Sequence, residues 1–580
     1  MAPVVFDNCF GWLHQPGGNE TSAIAIVLCS GIKNDAMSGH RSYRLLADAT
    51  ARAGFPTLRF DYPGTGDSAD PAPADELDNW SIWQKSIHTG IDWLRRQTGA
   101  QHIVLIGLRL GATLAATVAA QRDDVVGVAM LAPVLRGRSY INQLSIEAKM
   151  HDPAAQTNGA LVLHELHLSK QTVEYIRSID LRHIVLQPHS KIAVLVETNS
   201  PILQECLAAW RNRGADVVCG DFLGLEPMLR PVFMNHEAPI NPHRITAWLR
   251  NTFPPIAGRS PREMLPPPAR LVLDTCVETP LSFGPNDNLF GVLCRPRGCP
   301  EADLVVVIGN SSGDPHSGFA RAATDLARRL AREGFASLRM DFAGIGDSRA
   351  QDDAPTHVFE SDRRADFAAA IDALAARGYR RFALQGLCSG AYHAFQAAIA
   401  DPRVGVLLLV NLPLFEWKMG APVEYMSHIV ESPAHFLQKI GRADLWAQFL
   451  RGELDLPNRL TTLGLGLVEK ARSTFWRFTE RLGFKPRPSP GRDGAQRLSH
   501  RARTLFLFAE GDAGIASLAR EFGANTAPQG GALQIVPGLD HALTGRAMQA
   551  IAARHLITFL KQERLTYMTE DEVSDYDIAV

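Results

Sequence analysis

The stretch FALQGLCSGAYHAF, residues 382–395, decides how this chain is read. It has the build of a strand, a sharp turn and a helix. At its centre Gly386-Leu387-Cys388-Ser389-Gly390 has the frame of a nucleophile elbow, G-x-S-x-G. There, small residues flank a strained position that lifts one side chain above a sheet. Here a thiol holds that position, and Ser389 falls one place late. Cys388 is therefore the candidate nucleophile and Ser389 its rival. An inert core cysteine is the plainer alternative, but a cysteine framed by glycines at a strand–helix turn is not the usual core case.

Working outward, the parts that would serve such a nucleophile follow in chain order. TLFLFAEGD is a buried strand ending at Asp512, and LQIVPGLDHALTG places His541 in a loop after a further strand. Nucleophile, acid and histidine, each at a strand end, is one established order for a triad. The histidine would take the thiol proton and the acid would hold its ring. Glu510 is the rival acid. Asp512 could equally be an Asx turn, and His541 a surface partner of Asp540. The oxyanion hole should use the backbone N–H of Ser389 and one from the loop IGNSSGDPHSG, through Asn310 or Ser311. His316 and His393 also lie near these motifs in sequence.

The chain repeats itself. NCFGWLHQP (8–16) is answered by NLFGVLCRP (288–296), GFPTLRFDYPGTGDS (54–68) by GFASLRMDFAGIGDS (334–348), and IGLRLGATLA (106–115) by QGLCSGAYHA (385–394). One long repeat means duplicated domains rather than a solenoid. In the first copy Arg109 stands at the elbow, Asn199 at the acid position and Pro227 at the histidine position. None can do the corresponding chemistry, so residues 1–252 are expected to be a non-catalytic copy. Arg109 could anchor an anion or be held in an ion pair.

Within each copy, buried apolar runs (DLVVVIG, ASLRMDF, RFALQG, VGVLLLV) alternate with amphipathic helices such as FARAATDLARRLAREG. That alternation predicts an α/β fold with a mostly parallel sheet and helices on both faces. Residues 253–270, rich in proline, predict a stiff linker. A catalytic domain is expected over 271–565. Its alternation breaks at about 413–500, where aromatics at helical spacing suggest a helical cap over the C-terminal sheet edge, with some of them lining an apolar pocket. Residues 566–580, TEDEVSDYDIAV included, read as an acidic flexible tail and a candidate docking site for a protein partner.

Composition sets outer bounds. A chain of 580 residues exceeds one core. A net charge of -2 without a basic block argues against nucleic acid as a partner. The G-x-G turns match neither a phosphate loop nor a dinucleotide fingerprint, so no cofactor is called for. Eight cysteines without a CxxC suggest neither a zinc site nor a disulfide framework. The N-terminus lacks a basic, then apolar, secretory pattern, and no apolar run reaches the ~18 residues of a membrane span. These features lead us to expect a cytoplasmic protein with no metal and no integral membrane segment.

At GHRSYRLLADATARAGFPTLRFDYPGTGDS and GLRLGATLA the chain resembles bacterial α/β-hydrolase-fold proteins, specifically one subtype of the exosortase A-associated hydrolases. LRMDFAGIGDS with GLCSGA is similar to the other subtype, whose elbow commonly reads G-L-C-D-G. The resemblance spans nearly both halves and implies two tandem α/β-hydrolase domains with Cys388, Asp512 and His541 as the triad. Two departures stand out: the fusion of both subtypes in one chain, and Ser389 where aspartate is common. Polyester synthases and some lactone hydrolases of this fold are similar in using an elbow cysteine, and an acyl-thioenzyme is well suited to passing the acyl group onward. The expected activity is therefore hydrolysis or transfer of an ester or thioester acyl group through an acyl-Cys388 enzyme, on a small-molecule or carrier-bound acyl substrate. The alternative is a non-catalytic scaffold of a biosynthetic pathway such as exopolysaccharide production.

Overall fold

A computed structural model describes residues 1–17, 22–71, 78–151, 156–157, 159–163, 166–222, 225, 242–254, 268–350, 362–417, 489–523 and 526–577. By its contacts the chain divides into two compact units. One comprises Met1–Ala302, Gly313–Thr356 and Thr544–Gln549, and the other Asp303–Ser312, His357–Leu543 and Ala550–Val580. The first unit thus runs past the proline-rich segment, of which residues 255–267 lie outside the described residues. Most of the expected cap, residues 418–488, lies outside them as well.

The strands of the first copy are β1 (Ala2–Phe6), β2 (Cys9–His14), β3 (Ile24–Cys29), β4 (Thr57–Phe60), β5 (His102–Leu108), β6 (Val125–Leu131), the short β7 (Gln156–Thr157), β8 (Ala160–Leu163) and β9 (Leu166–Leu168), then β10 (Lys191–Val196) and β11 (Asp216–Asp221). Those of the second are β12 (Leu271–Val272), β13 (Cys276–Phe283), β14 (Leu289–Pro296), β15 (Leu304–Ile308), β16 (Ala336–Asp341), β17 (Arg381–Leu387), β18 (Val404–Val410), β19 (Arg503–Ala509) and β20 (Gly531–Val536). Every strand expected from the apolar runs of the second copy is present.

In the first unit an eight-stranded sheet runs β1-β2-β4-β3-β5-β6-β10-β11. Only β1–β2 and β2–β4 pair antiparallel; the pairs from β4 to β11 are parallel. β3 reads IAIVLC and is buried at all six positions, the pattern of a strand covered on both faces. The helix Asn79–Thr98 covers part of this sheet. It starts where the Asp78 carboxylate accepts the Ser81 N–H at 3.2 Å and stops where Gly99 turns left-handed at φ 69°. Its buried Trp80, Trp83, Ile87, Ile91 and Leu94 share one face, and each such burial contributes about 1.5–3 kcal/mol.

The first unit also holds the antiparallel run β12-β13-β14-β16. The second unit carries the parallel run β15-β17-β18-β19-β20. Each crossover in a parallel run returns the chain to the same edge, so the ends of β17, β18, β19 and the loop after β20 gather on one side.

The helix Arg546–Asp577 takes in residues 566–577 of the segment read as a tail. The stretch holds no glycine or proline, and its Glu, Lys, Leu and Met are strong helix formers. Among the described residues, no helix is long and apolar enough to cross a membrane.

Candidate active site

The elbow between β17 and the helix Ser389–Ala400 is built as its glycines require. A Cβ on Gly386 would stand 2.1 Å from the carbonyl carbon of Gly390, and one on Gly390 would stand 2.4 Å from the Asn310 carbonyl oxygen. Without side chains, the strand, the helix start and the loop after β15 approach closely. Cys388, at the apex, is forced to φ 54°, ψ -119°, a conformation costly for a residue with a Cβ and common at functional sites. Its N–H donates to the Val410 carbonyl at 3.0 Å, tying the apex to the end of β18, and its side chain is partly exposed.

His541 Nδ1 lies 2.6 Å from Asp512 Oδ2. The Asp512 side chain is 2% exposed and that of His541 47%. Asp512 also caps the helix Ala513–Phe522, accepting the Gly514 N–H at 2.8 Å through its other oxygen. The turn-capping and histidine-holding readings therefore both apply, one to each carboxylate oxygen. Glu510 is exposed and engages β20 through its backbone N–H. Burial lowers the proton affinity of His541, but hydrogen bonds to Asp512 and Cys388, together with their negative charge, outweigh it and raise the pKa to about 11.

Ser389 is fully buried, and its hydroxyl accepts the Ser312 N–H at 2.8 Å. The hydroxyl is thus engaged in holding the loop after β15. As the first residue of its helix, Ser389 has a backbone N–H with no acceptor inside the helix. Asn310 is buried and Ser311 half-buried on the facing loop. His393 is buried in the elbow helix.

Sequence reasoning missed Asn411. It lies just beyond β18, fully buried, at φ 49°. Its amide donates to the carbonyls of His541 at 2.8 Å and Asp540 at 3.2 Å, and accepts the Ala509 N–H at 2.8 Å. A polar residue ending a strand beside the elbow strand was the available signal.

Two family models match the chain. One described as alpha/beta hydrolase fold covers residues 24–157, and one described as Alpha/beta hydrolase family covers residues 304–554. The chain is a tandem α/β-hydrolase-fold protein. Solved structures similar to parts of this tandem hydrolase include Est1E from Butyrivibrio proteoclasticus with ferulic acid bound, at 14% identity and TM-score 0.30, covering 43% of this chain and 97% of that one. PA2218 from Pseudomonas aeruginosa is similar at 17% identity and TM-score 0.31, covering 50% and 94%. The Pyrococcus furiosus esterase Pf2001 is similar at 13% identity and TM-score 0.29, covering 43% and 91%. No curated protein matches the sequence.

In the first copy of the tandem hydrolase the elbow geometry persists without the thiol. Arg109 lies between β5 and the helix Leu110–Ala119 at φ 52°, ψ -120°. Its Nε is 3.7 Å from Asp35 Oδ2, and its guanidinium sits 5.9 Å from the centre of the Tyr140 ring. Burial pushes the Asp35 carboxyl up to about 6 against the pull of Arg109 and Lys33. Asn199 accepts a hydrogen bond from the Gln204 amide at 2.6 Å on the surface. Pro227 lies outside the described residues.

The repeated G-x-G-D-S turns have a structural role in the first unit. The Asp61 carboxylate accepts the Asp67 N–H, and Asp341 accepts that of Asp347, both at 2.9 Å. Gly66 and Gly346 have φ 48° and 53°, and a Cβ on either would overlap that carboxylate. The second aspartates cross over between copies: Asp67 accepts from Arg339 at 2.9 Å and lies 2.5 Å from His316 Nε2, while Asp347 accepts from Arg59 and lies 3.3 Å from His40 Nε2. His316 Nδ1 is 2.7 Å from Asp341. The two carboxylates hold the His316 pKa well above its ordinary value despite burial.

Among the described residues, two buried groups bring potential metal ligands together: Cys276, Glu278 and Cys294, and His316, Asp341 and Asp347. Glu278 already bonds Arg328 and Arg339, and Asp347 bonds Arg59. In both groups arginine supplies the countercharge that a cation would otherwise bring.

Proposed function

We propose that the tandem hydrolase transfers or hydrolyses an acyl group, held as an ester or thioester, through an acyl-enzyme on Cys388. The observation that carries this reading is the His541–Asp512 hydrogen bond at 2.6 Å, with Cys388 on a strained elbow acting on the same imidazole to raise its pKa. A histidine whose pKa is raised to about 11 can keep the proton it takes from the thiol, so that His541 serves as the base for Cys388.

The thiolate attacks the acyl carbon and the carbonyl oxygen becomes an oxyanion, which the backbone N–H groups of Ser389 and of Asn310 or Ser311 receive. As the tetrahedral adduct collapses, the bond to the leaving oxygen or sulfur breaks and His541 gives that atom its proton. Neutral His541 then takes a proton from water or an acceptor hydroxyl, amine or thiol, which attacks the acyl-Cys388 carbonyl. Collapse returns the sulfur and the imidazolium to their starting state. Asp512 holds the ring throughout and balances its charge.

The copy with Arg109, Asn199 and Pro227 is a non-catalytic partner domain in this reading. The sequence resemblance supports kinship with the exosortase A-associated hydrolases and a small-molecule or carrier-bound acyl substrate, and eight scattered cysteines without a CxxC support a cytoplasmic site of action. The division into residues 1–252 and 271–565, with a cap at about 413–500, belongs to the same proposal. Intact-protein mass spectrometry after exposure to acyl-CoA and p-nitrophenyl esters tests it. The expected result is an acyl adduct that Cys388→Ala removes and His541→Ala slows. No adduct and no turnover with any ester would sink the reading and favour a non-catalytic scaffold.

A further inference from the structure

We infer that Asn411 is the positioning residue that sets the catalytic histidine, an inference that rests on the reading of His541 as the base. His541 sits in an irregular loop after β20 and is half exposed, so its own packing does little to fix it. Its backbone is instead held from across the sheet. The Asn411 amide group donates both of its hydrogens to consecutive carbonyls, those of Asp540 and His541, and its oxygen accepts the Ala509 N–H at the end of β19. Asp512 follows three residues after Ala509. One side chain thus ties the acid strand and the histidine loop to each other.

The orientation of the amide is determined by its partners. Turned over, the NH₂ would face the Ala509 N–H and the oxygen would face two carbonyls, so only one orientation satisfies all three. Aspartate, of the same shape, would place carboxylate charge against those carbonyls. The left-handed φ of 49° is one that asparagine tolerates better than most residues. Its backbone N–H donates to the Leu507 carbonyl at 2.8 Å, anchoring the residue to β19.

The duplicate is an internal control. The matching position in the first copy is Ala132, with φ 44° and a backbone N–H bonded to the Leu195 carbonyl at 2.8 Å. Backbone, strain and strand pairing persist there; the amide that would hold a histidine loop does not. In that copy the elbow carries Arg109 and the histidine position carries Pro227. Alanine at position 411 is therefore compatible with the local backbone.

The test uses the full chain with Asn411→Ala and Asn411→Asp, read two ways. The low-field proton of the His541–Asp512 hydrogen bond, observed by NMR, reports the position of the ring without any substrate. Turnover of p-nitrophenyl esters gives kcat and KM. We expect Asn411→Ala to lose or broaden that proton signal and to lower kcat by about tenfold to a hundredfold with KM unchanged. Asn411→Asp is expected to do the same or worse at neutral pH. A wild-type proton signal and wild-type kcat in both variants would overturn the inference. Should the wild type itself turn over no ester, the acyl-transfer reading fails, and the proton signal alone still decides whether Asn411 positions His541. Where Asn411→Ala fails to fold, the isosteric Asn411→Asp supplies both readouts.

Discussion

Cys388 and Arg109 hold the same backbone conformation, φ 54°, ψ -119° against φ 52°, ψ -120°. In both copies the apex N–H donates to the carbonyl at the end of the next strand, Val410 or Leu131. The strained turn is therefore a property of the scaffold, and in the proposed reading the chemistry rests on the single side chain it lifts. Glycine at the apex should relieve the strain. Cys388→Gly is expected to raise unfolding stability by about 1 kcal/mol while abolishing the acyl adduct. Urea unfolding and mass spectrometry of the same sample check both halves; a destabilised variant would contradict the strain argument.

Asp512 and Glu510 separate by function. Asp512→Asn should lower turnover on the order of a thousandfold, because an amide cannot balance the imidazolium, and weaken the helix Ala513–Phe522 by about 1 kcal/mol or less, since an asparagine still caps. Glu510→Gln should leave turnover unchanged. Steady-state kinetics of the two variants side by side decides which acid serves His541.

Ser389 and Cys388 separate in the same way. Ser389→Ala removes the acceptor that holds the Ser312 N–H. It should therefore slow acylation by roughly tenfold through a loosened oxyanion loop and still leave the adduct on Cys388. Peptide mapping of the adduct gives the answer: label found on Ser389 in the wild type would reverse the assignment.

The pH dependence follows from His541. Its pKa is raised from about 6.5 unfolded to about 11 folded, so folding favours the protonated ring. The stabilisation from its contacts is complete below about pH 6.5 and is lost as pH rises toward 11. Wild type and His541→Ala, compared by urea midpoint across this range, should differ by a constant amount at low pH and converge as pH rises. Divergence on the alkaline side would contradict the raised pKa.

Asp67 carries the opposite sign. Its carboxyl is held well below the usual range by His316 and Arg339, against burial, so its contribution is present above about pH 4 and fades as pH falls below that value. Asp67→Ala leaves Arg339 and His316 buried beside an emptied site and should cost about 3–5 kcal/mol. A thermal melt within error of wild type would show that the cross-copy network is not what holds the first unit.

The sequence carried periodicity, glycine spacing and chain order, all of which are local. These sufficed for the duplicated α/β architecture, the strand–turn–helix at Cys388 and the buried strands.

Tertiary structure decided what depends on residues meeting across long intervals. Asp512 and His541 are 29 residues apart and Asn411 and His541 are 130 apart; only the crossovers of a parallel sheet bring their strand ends to one edge. Likewise Asp67 finds Arg339 across 272 residues, so a motif that sequence alone reads as a turn becomes a buried ionic lock. Side-chain identity could be read from the chain; which donor faces which acceptor was set by the fold, because hydrogen bonds act over a few ångströms and the chain between them runs for tens to hundreds of residues.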